Sequence, residues 1–80
     1  MTNVPDRIRE MWKDVYVLFD KHFLMDCSNQ DSWKAFWADA SELVSKYQDV
    51  DSFIELIGVI SELLYKFYAK RISDGNEKWQ

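Results

Sequence analysis

The stretch from Phe53 to Tyr68 constrains the fold most, because eleven of its sixteen residues are large and apolar. At about 100° per residue, its charged side chains fall in one narrow strip, while apolar side chains cover the opposite face and both flanks. A helix with so much apolar surface needs neighbours on more than one side. The stretch therefore predicts a central helix in an all-α domain.

The rest of the chain favours helices as well. Two glycines and one proline leave little scope for hairpin turns, and no alternating strand pattern of useful length occurs. Three amphipathic segments predict helices near 5–24, 32–47 and 52–72, followed by a frayed tail at 74–80. Because short connections favour antiparallel neighbours, we expect residues 1–80 to form one small up-down-up three-helix bundle.

Capping residues mark where the predicted helices begin. Pro5 is expected as the first residue of helix 1, since its fixed φ suits a helix. Asp31 or Ser28 is expected to cap helix 2, and Ser52 with Glu55 matches a capping box for helix 3. The predicted inward positions are Ile8, Met11, Trp12, Val15, Leu18, Phe19, His22 and Phe23, with Tyr16 at the edge; Trp33, Phe36, Trp37, Ala40, Leu43, Val44 and Tyr47; and Phe53, Ile57, Ile60, Leu64 and Phe67.

The residue types that build catalytic and metal sites are few. His22 and Cys27 are the single histidine and cysteine, five residues apart, and a zinc site would also need Asp26 and a distant ligand. A histidine in the last turn of a helix caps a carbonyl more often, and a lone cysteine usually behaves as a small hydrophobe. We therefore predict no metal site and no cofactor.

The carboxylate pairs and the aromatic residues of the chain are also better explained by structural roles. Asp14 with Asp20, or Asp49 with Asp51, would serve as an acid–base pair only in a pocket, and none is evident. The aromatic positions Trp12, Tyr16, Trp33 and Trp37 would stack on a sugar or a base, but their helical spacing favours core packing. We predict no catalytic residue, and a chain that is not an enzyme.

Charge and hydropathy exclude some partners. Fourteen acidic residues against ten basic ones give a net charge of −4, the wrong sign for a phosphate-binding surface. No apolar run approaches the ~20 residues of a membrane span, and no signal pattern is present. Since Cys27 has no cysteine to pair with, nothing supports an oxidising compartment. We expect a cytoplasmic protein with no direct nucleic-acid partner and no membrane partner.

Apolar side chains exceed what a small bundle buries. The chain has 34 apolar residues other than alanine, whereas three helices with about six inward positions each would use roughly eighteen. Tyrosine-rich apolar patches are enriched at protein interfaces. The predicted interface is therefore the helix 3 flank of Ile54, Tyr65, Tyr68 and Ile72, for a protein partner, a second copy in a homodimer, or both. The alternative is that this flank packs against helix 1.

These observations predict a small acidic helical protein-interaction module or regulator. One alternative is an acidic inhibitor that mimics nucleic acid and blocks a basic protein of a host or phage, using Glu10, Asp14, Asp39 and Glu42. A purely structural dimerisation domain is another. In composition alone, the chain is similar to small accessory proteins of bacteria, phages and mobile elements.

Overall fold

The computed structural model describes residues 4–73 and contains three helices, α1 (Asp6–His22), α2 (Gln30–Lys46) and α3 (Phe53–Ser73). Each helix contacts both others, which confirms the predicted all-α bundle. α1 and α2 are antiparallel, because Arg7 at the start of α1 binds Asp49, just beyond the end of α2. α3 runs parallel to α1, and the ring centres of Phe19 and Phe67 lie 6.3 Å apart in an edge-to-face arrangement.

α1 is shorter than predicted at both ends. Pro5 precedes the helix instead of opening it, and its carbonyl accepts hydrogen bonds from the N–H groups of Ile8 and Arg9, both at 3.1 Å. At the other end, the helix stops at His22 and not at Leu24. The N–H of Met25 returns to the His22 carbonyl at 3.1 Å, which tightens the chain into a turn.

The cap of α2 is neither of the two predicted residues. The Asn29 side chain accepts a hydrogen bond from the N–H of Asp31 at 2.8 Å, so the helix begins at Gln30. Ser28 instead donates its N–H and hydroxyl to Asp26 Oδ1, at 2.9 and 2.6 Å. The third helix begins at Phe53, within one residue of the prediction.

The core consists of predicted inward residues from all three helices. Its buried members are Met11, Val15, Leu18, Phe36, Ala40, Tyr47, Phe53, Ile57, Ile60 and Leu64. Trp12 and Trp37 were expected inward as well, but both are exposed. In a three-helix bundle, each helix meets its neighbours over a limited arc, and positions one step outside that arc remain on the surface.

The proposed frayed tail at 74–80 lies outside the described residues. Within residues 4–73, no helix combines the length and the hydropathy that crossing a bilayer requires.

Candidate functional site

A continuous strip of α3 carries the side chains that the sequence singled out. We call this strip the α3 seam; it consists of Ile54, Gly58, Ser61, Tyr65, Tyr68 and Ile72. The spacing alternates between four and three residues, which is the repeat that keeps one face of a helix against a partner helix. Ile54, Tyr65 and Ile72 are 64, 55 and 52% exposed. Three of the four predicted interface residues therefore lie open on one line.

The α3 seam contains no charged residue over its whole length. The 19 residues from Ile54 to Ile72 extend over about 27 Å of helix, and the charges of α3 lie outside the seam. Gly58 and Ser61, two small residues, lie between Ile54 and Tyr65, and a Cβ added at Gly58 would meet no atom within 4 Å. Ser61 donates its hydroxyl to the Gly58 carbonyl at 2.8 Å, which satisfies the hydroxyl within the helix. The surface carries no charge, and its smallest side chains lie between Ile54 and Tyr65.

Tyr68, the fourth predicted interface residue, is engaged within the chain. It is half-buried, and its hydroxyl donates to Asp26 Oδ1 at 2.9 Å. Hydrogen bonds from Ser28 and then from Tyr68 lower the pKa of Asp26. The Arg71 guanidinium lies 5.3 Å from the centre of the Tyr68 ring. Tyr68 thus ties α3 to the loop between α1 and α2.

Arg71 has a role that the sequence did not reveal. Arg71 is buried and donates to the carbonyls of Phe23 and Met25, at 3.1 and 3.2 Å. These carbonyls follow the end of α1, where the helix itself provides no partner. Arg71 therefore closes the end of a different helix.

His22 and Cys27, the two residues that could support nucleophilic or metal chemistry, contact different partners. His22 is buried, with Nε2 2.8 Å from Asp39 Oδ2, and its ring packs edge-on against Phe36. Cys27 is also buried, and its thiol points at the Leu64 carbonyl, 3.8 Å away. Burial raises the pKa of the Cys27 thiol, which disfavours the reactive thiolate.

One polar cluster joins the first half of α1 to the end of α2. The Tyr47 hydroxyl donates to Asp14, and Lys46 binds the same carboxylate at 2.8 Å. Arg7 pairs with Asp49 at 2.9 Å and donates to the Lys46 carbonyl. Hydrogen bonds from Lys46 and Tyr47 lower the pKa of Asp14, and burial followed by the hydrogen bond to Asp14 raises that of Tyr47. This cluster links the two helices and caps the end of α2.

Three of the four acids predicted for nucleic-acid mimicry lie beside basic side chains. Asp39 binds Lys21 at 2.7 Å as well as His22. Glu10 lies 3.3 Å from Lys46, and Asp14 shares that lysine. Glu42 borders a shallow cleft with Asp14, Asp39 and Lys21. Cations in the same surface reduce the negative field that mimicry of a phosphate backbone requires.

A second apolar surface was missed because Trp12 was assigned to the core. Trp12 and Tyr16 on α1, together with Leu63 on α3, line a groove between the two helices. The available signal was their spacing, since Trp12 and Tyr16 are four residues apart and both lie to one side of the stripe formed by Met11, Val15 and Leu18.

Within residues 4–73, no three histidine, cysteine, aspartate or glutamate side chains cluster closely enough to hold a metal ion. Comparisons of the chain with protein-family models, with curated proteins and with solved structures found no match.

Proposed function

We propose that this chain is a non-catalytic protein-interaction module of the cytoplasm that binds an amphipathic helix of another protein along the α3 seam. The observation that carries the proposal is the exposure of Ile54, Tyr65 and Ile72 on one charge-free line of a single helix. Water-exposed apolar side chains are common one at a time, whereas a contiguous patch marks an interaction site.

The spacing of the α3 seam favours a helical partner. Side chains spaced alternately four and three residues apart all lie on the face of the helix that a second helix would pack against. The side chains of that partner helix then insert into the gaps between them. Gly58 and Ser61 provide such a gap between Ile54 and Tyr65. Tyrosine suits the purpose, because its ring buries a large area while its hydroxyl stays in contact with water.

The dominant force distinguishes this proposal from nucleic-acid mimicry. An apolar seam binds its partner through buried area, so its affinity changes little with salt. An acidic surface binding a basic protein loses affinity as ionic strength rises and the Debye length falls below about 8 Å. The cations beside Glu10, Asp14 and Asp39 favour the first mechanism.

Photo-crosslinking in a lysate of the source organism tests the proposal. A photoreactive phenylalanine replaces Tyr65 in one variant and Val17, an exposed apolar residue of α1, in the matched control. We expect position 65 to give a discrete adduct with another protein, unchanged between about 0.05 and 1 M salt, while position 17 gives none.

Substitutions in the seam identify the contact surface. Ile54→Glu and Ile72→Glu each place a charge in the seam and should abolish the adduct at position 65, while circular dichroism shows an intact helical fold. Val17→Glu should leave the adduct unchanged. The proposal fails if position 65 gives no adduct with another protein, or if the adduct survives both seam substitutions or disappears at high salt.

A further inference from the structure

A second apolar surface lies on the side of α3 opposite to the α3 seam. Trp12 and Tyr16 of α1 face Leu63 of α3 across a groove whose floor is formed by Val15, Phe19 and Ile60. Val59 lies one turn before Leu63 on the same side of the helix. Trp12, Tyr16, Val59 and Leu63 are 52, 66, 51 and 38% exposed. We call this surface the α1–α3 groove.

The size of the α1–α3 groove suits protein side chains and not a small molecule. Its volume is about 190 Å³, below the ~300–1,000 Å³ of typical ligand pockets. The groove also offers no cluster of polar groups that would orient a ligand. An occupant must therefore be a surface that inserts a few apolar side chains between two parallel helices.

The exposed apolar area matches what a small interface requires. Because a large aromatic side chain offers about 150–250 Å², the exposed parts of the four residues amount to roughly 400 Å². A standard interface buries ~800 Å² per partner, of which somewhat more than half is apolar. Two copies of this groove facing each other would thus supply most of the apolar area of one small interface.

The charges around the α1–α3 groove are arranged so that two copies of the groove would be complementary in charge. Arg9 lies one turn before Trp12, and Asp20 lies one turn after Tyr16. On α3, Glu55 precedes Val59 by one turn and Lys70 follows Leu63 by two. Within its own chain, Arg9 also binds Asp6 at 2.8 Å, and Glu62 lies 4.0 Å from Lys66; Lys13 is a further charge on the α1 side of the rim. A second copy turned end to end brings Arg9 over Asp20 and Glu55 over Lys70, with opposite signs in both pairs.

One two-fold axis satisfies both pairs. The midpoint of Arg9 and Asp20 falls between residues 14 and 15, and that of Glu55 and Lys70 falls between 62 and 63. The two midpoints differ by 48 residues, which is also the separation of Phe19 and Phe67, whose rings meet across the helices at 6.3 Å. The two midpoints therefore lie at the same height in the bundle.

We propose that the α1–α3 groove is the interface of a two-fold homodimer, with α1 antiparallel to α1 and α3 antiparallel to α3 of the second copy. In an isologous dimer each residue pair occurs twice, so Arg9 and Asp20 contribute two contacts per dimer. The α3 seam lies on the far side of α3 and stays accessible, so the dimer presents two seams. The inference stands independently of the proposed function.

Light scattering on a sizing column tests for the dimer. At high micromolar concentration, we expect a mass of about twice the 9.6 kDa of one chain, falling toward one chain on dilution. Tyr16→Glu and Leu63→Glu should each give a monomer at the same concentration, with an unchanged helical circular dichroism spectrum. Val17→Glu and the seam variant Ile54→Glu should remain dimeric, which separates this interface from the α3 seam.

A charge-exchange pair tests the orientation. In a dimer of Arg9→Glu chains, Glu meets Asp20 twice, and in a dimer of Asp20→Arg chains, Arg meets Arg9 twice. Each variant alone should dimerise roughly tenfold more weakly than the wild type, whereas an equimolar mixture should form a heterodimer with both pairs restored. A wild-type monomer at high micromolar concentration, a dimer that survives Tyr16→Glu and Leu63→Glu, or a mixture no stronger than its components would overturn the proposal.

Discussion

The fully buried phenol of Tyr47 donates a hydrogen bond to Asp14, and this pair connects the C-terminal end of α2 to the middle of α1. The Arg7 guanidinium lies over the Tyr47 ring, 4.4 Å from the centre of the ring, and the ring also packs against Phe53. Tyr47 therefore combines core packing with the polar cluster that joins the first two helices.

Tyr47→Phe isolates the contribution of the hydroxyl, because the ring and its contacts remain. We expect the free energy of unfolding to fall by roughly 1–2 kcal/mol, since a buried hydrogen bond to a charged acceptor is lost. Urea unfolding measures the change, and Tyr65→Phe, at a half-exposed ring, should alter stability by less than about 0.5 kcal/mol. Equal effects of the two substitutions would contradict the assigned role.

Arg71→Met should destabilise the fold by about 2–3 kcal/mol, because the carbonyls of Phe23 and Met25 lose their charged donor. The matched control is Lys66→Met on the same helix, where an exposed i,i+4 pair with Glu62 is lost and about 0.5 kcal/mol is expected. Urea unfolding of both variants provides the comparison. An Arg71→Met protein as stable as the control would show that water replaces the guanidinium.

Acid should weaken the fold through Asp14. Its pKa is below the ordinary value of 3.8 in the folded chain, because Lys46 and Tyr47 hydrogen-bond the carboxylate. A lowered folded-state pKa adds stability above the unfolded-state pKa, and this stability is lost as pH falls through the folded value. We expect the free energy of unfolding to decline from about pH 5 toward pH 2.

Two variants test whether Asp14 causes this loss of stability in acid. Asp14→Asn removes the titrating group, and Lys46→Gln removes the partner that contributes most to the lowered pKa. Both should be less stable than the wild type at pH 7, and their stability should fall less on acidification. If the difference between pH 7 and pH 2 is the same in Asp14→Asn as in the wild type, Asp14 does not carry the effect.

Gly58→Ala should stabilise the isolated chain by about 0.5–1 kcal/mol, because alanine restricts the unfolded chain and favours the helix. No atom within 4 Å opposes the added methyl group. Thermal unfolding measures the gain. Under the proposed function, the same methyl group fills the gap between Ile54 and Tyr65, so the crosslink at position 65 should weaken in a more stable protein. A loss of stability would mean that Gly58 is needed within the fold itself.

Much of the fold could be predicted because helical periodicity is a local property. The apolar stripe of α3 identified Phe53, Ile57, Ile60 and Leu64, and all four are buried. The exposed Ile54, Tyr65 and Ile72 could be predicted for the same reason. Around the helix, they lie to one side of the buried stripe, where neither α1 nor α2 covers them.

What the tertiary structure decided depends on contacts between residues distant in the chain. Trp12 and Met11 are adjacent in sequence, and only the packing of the three helices determined that Met11 is buried while Trp12 borders a groove. Arg71 reaches Phe23 across 48 residues, and Tyr68 reaches Asp26 across 42. The sequence by itself determined three helices and their principal apolar faces, because these follow from residue spacing along one chain segment. The rotation of each helix and the partners of its polar groups followed only from packing the three together, because each helix has more apolar surface than its neighbours can cover.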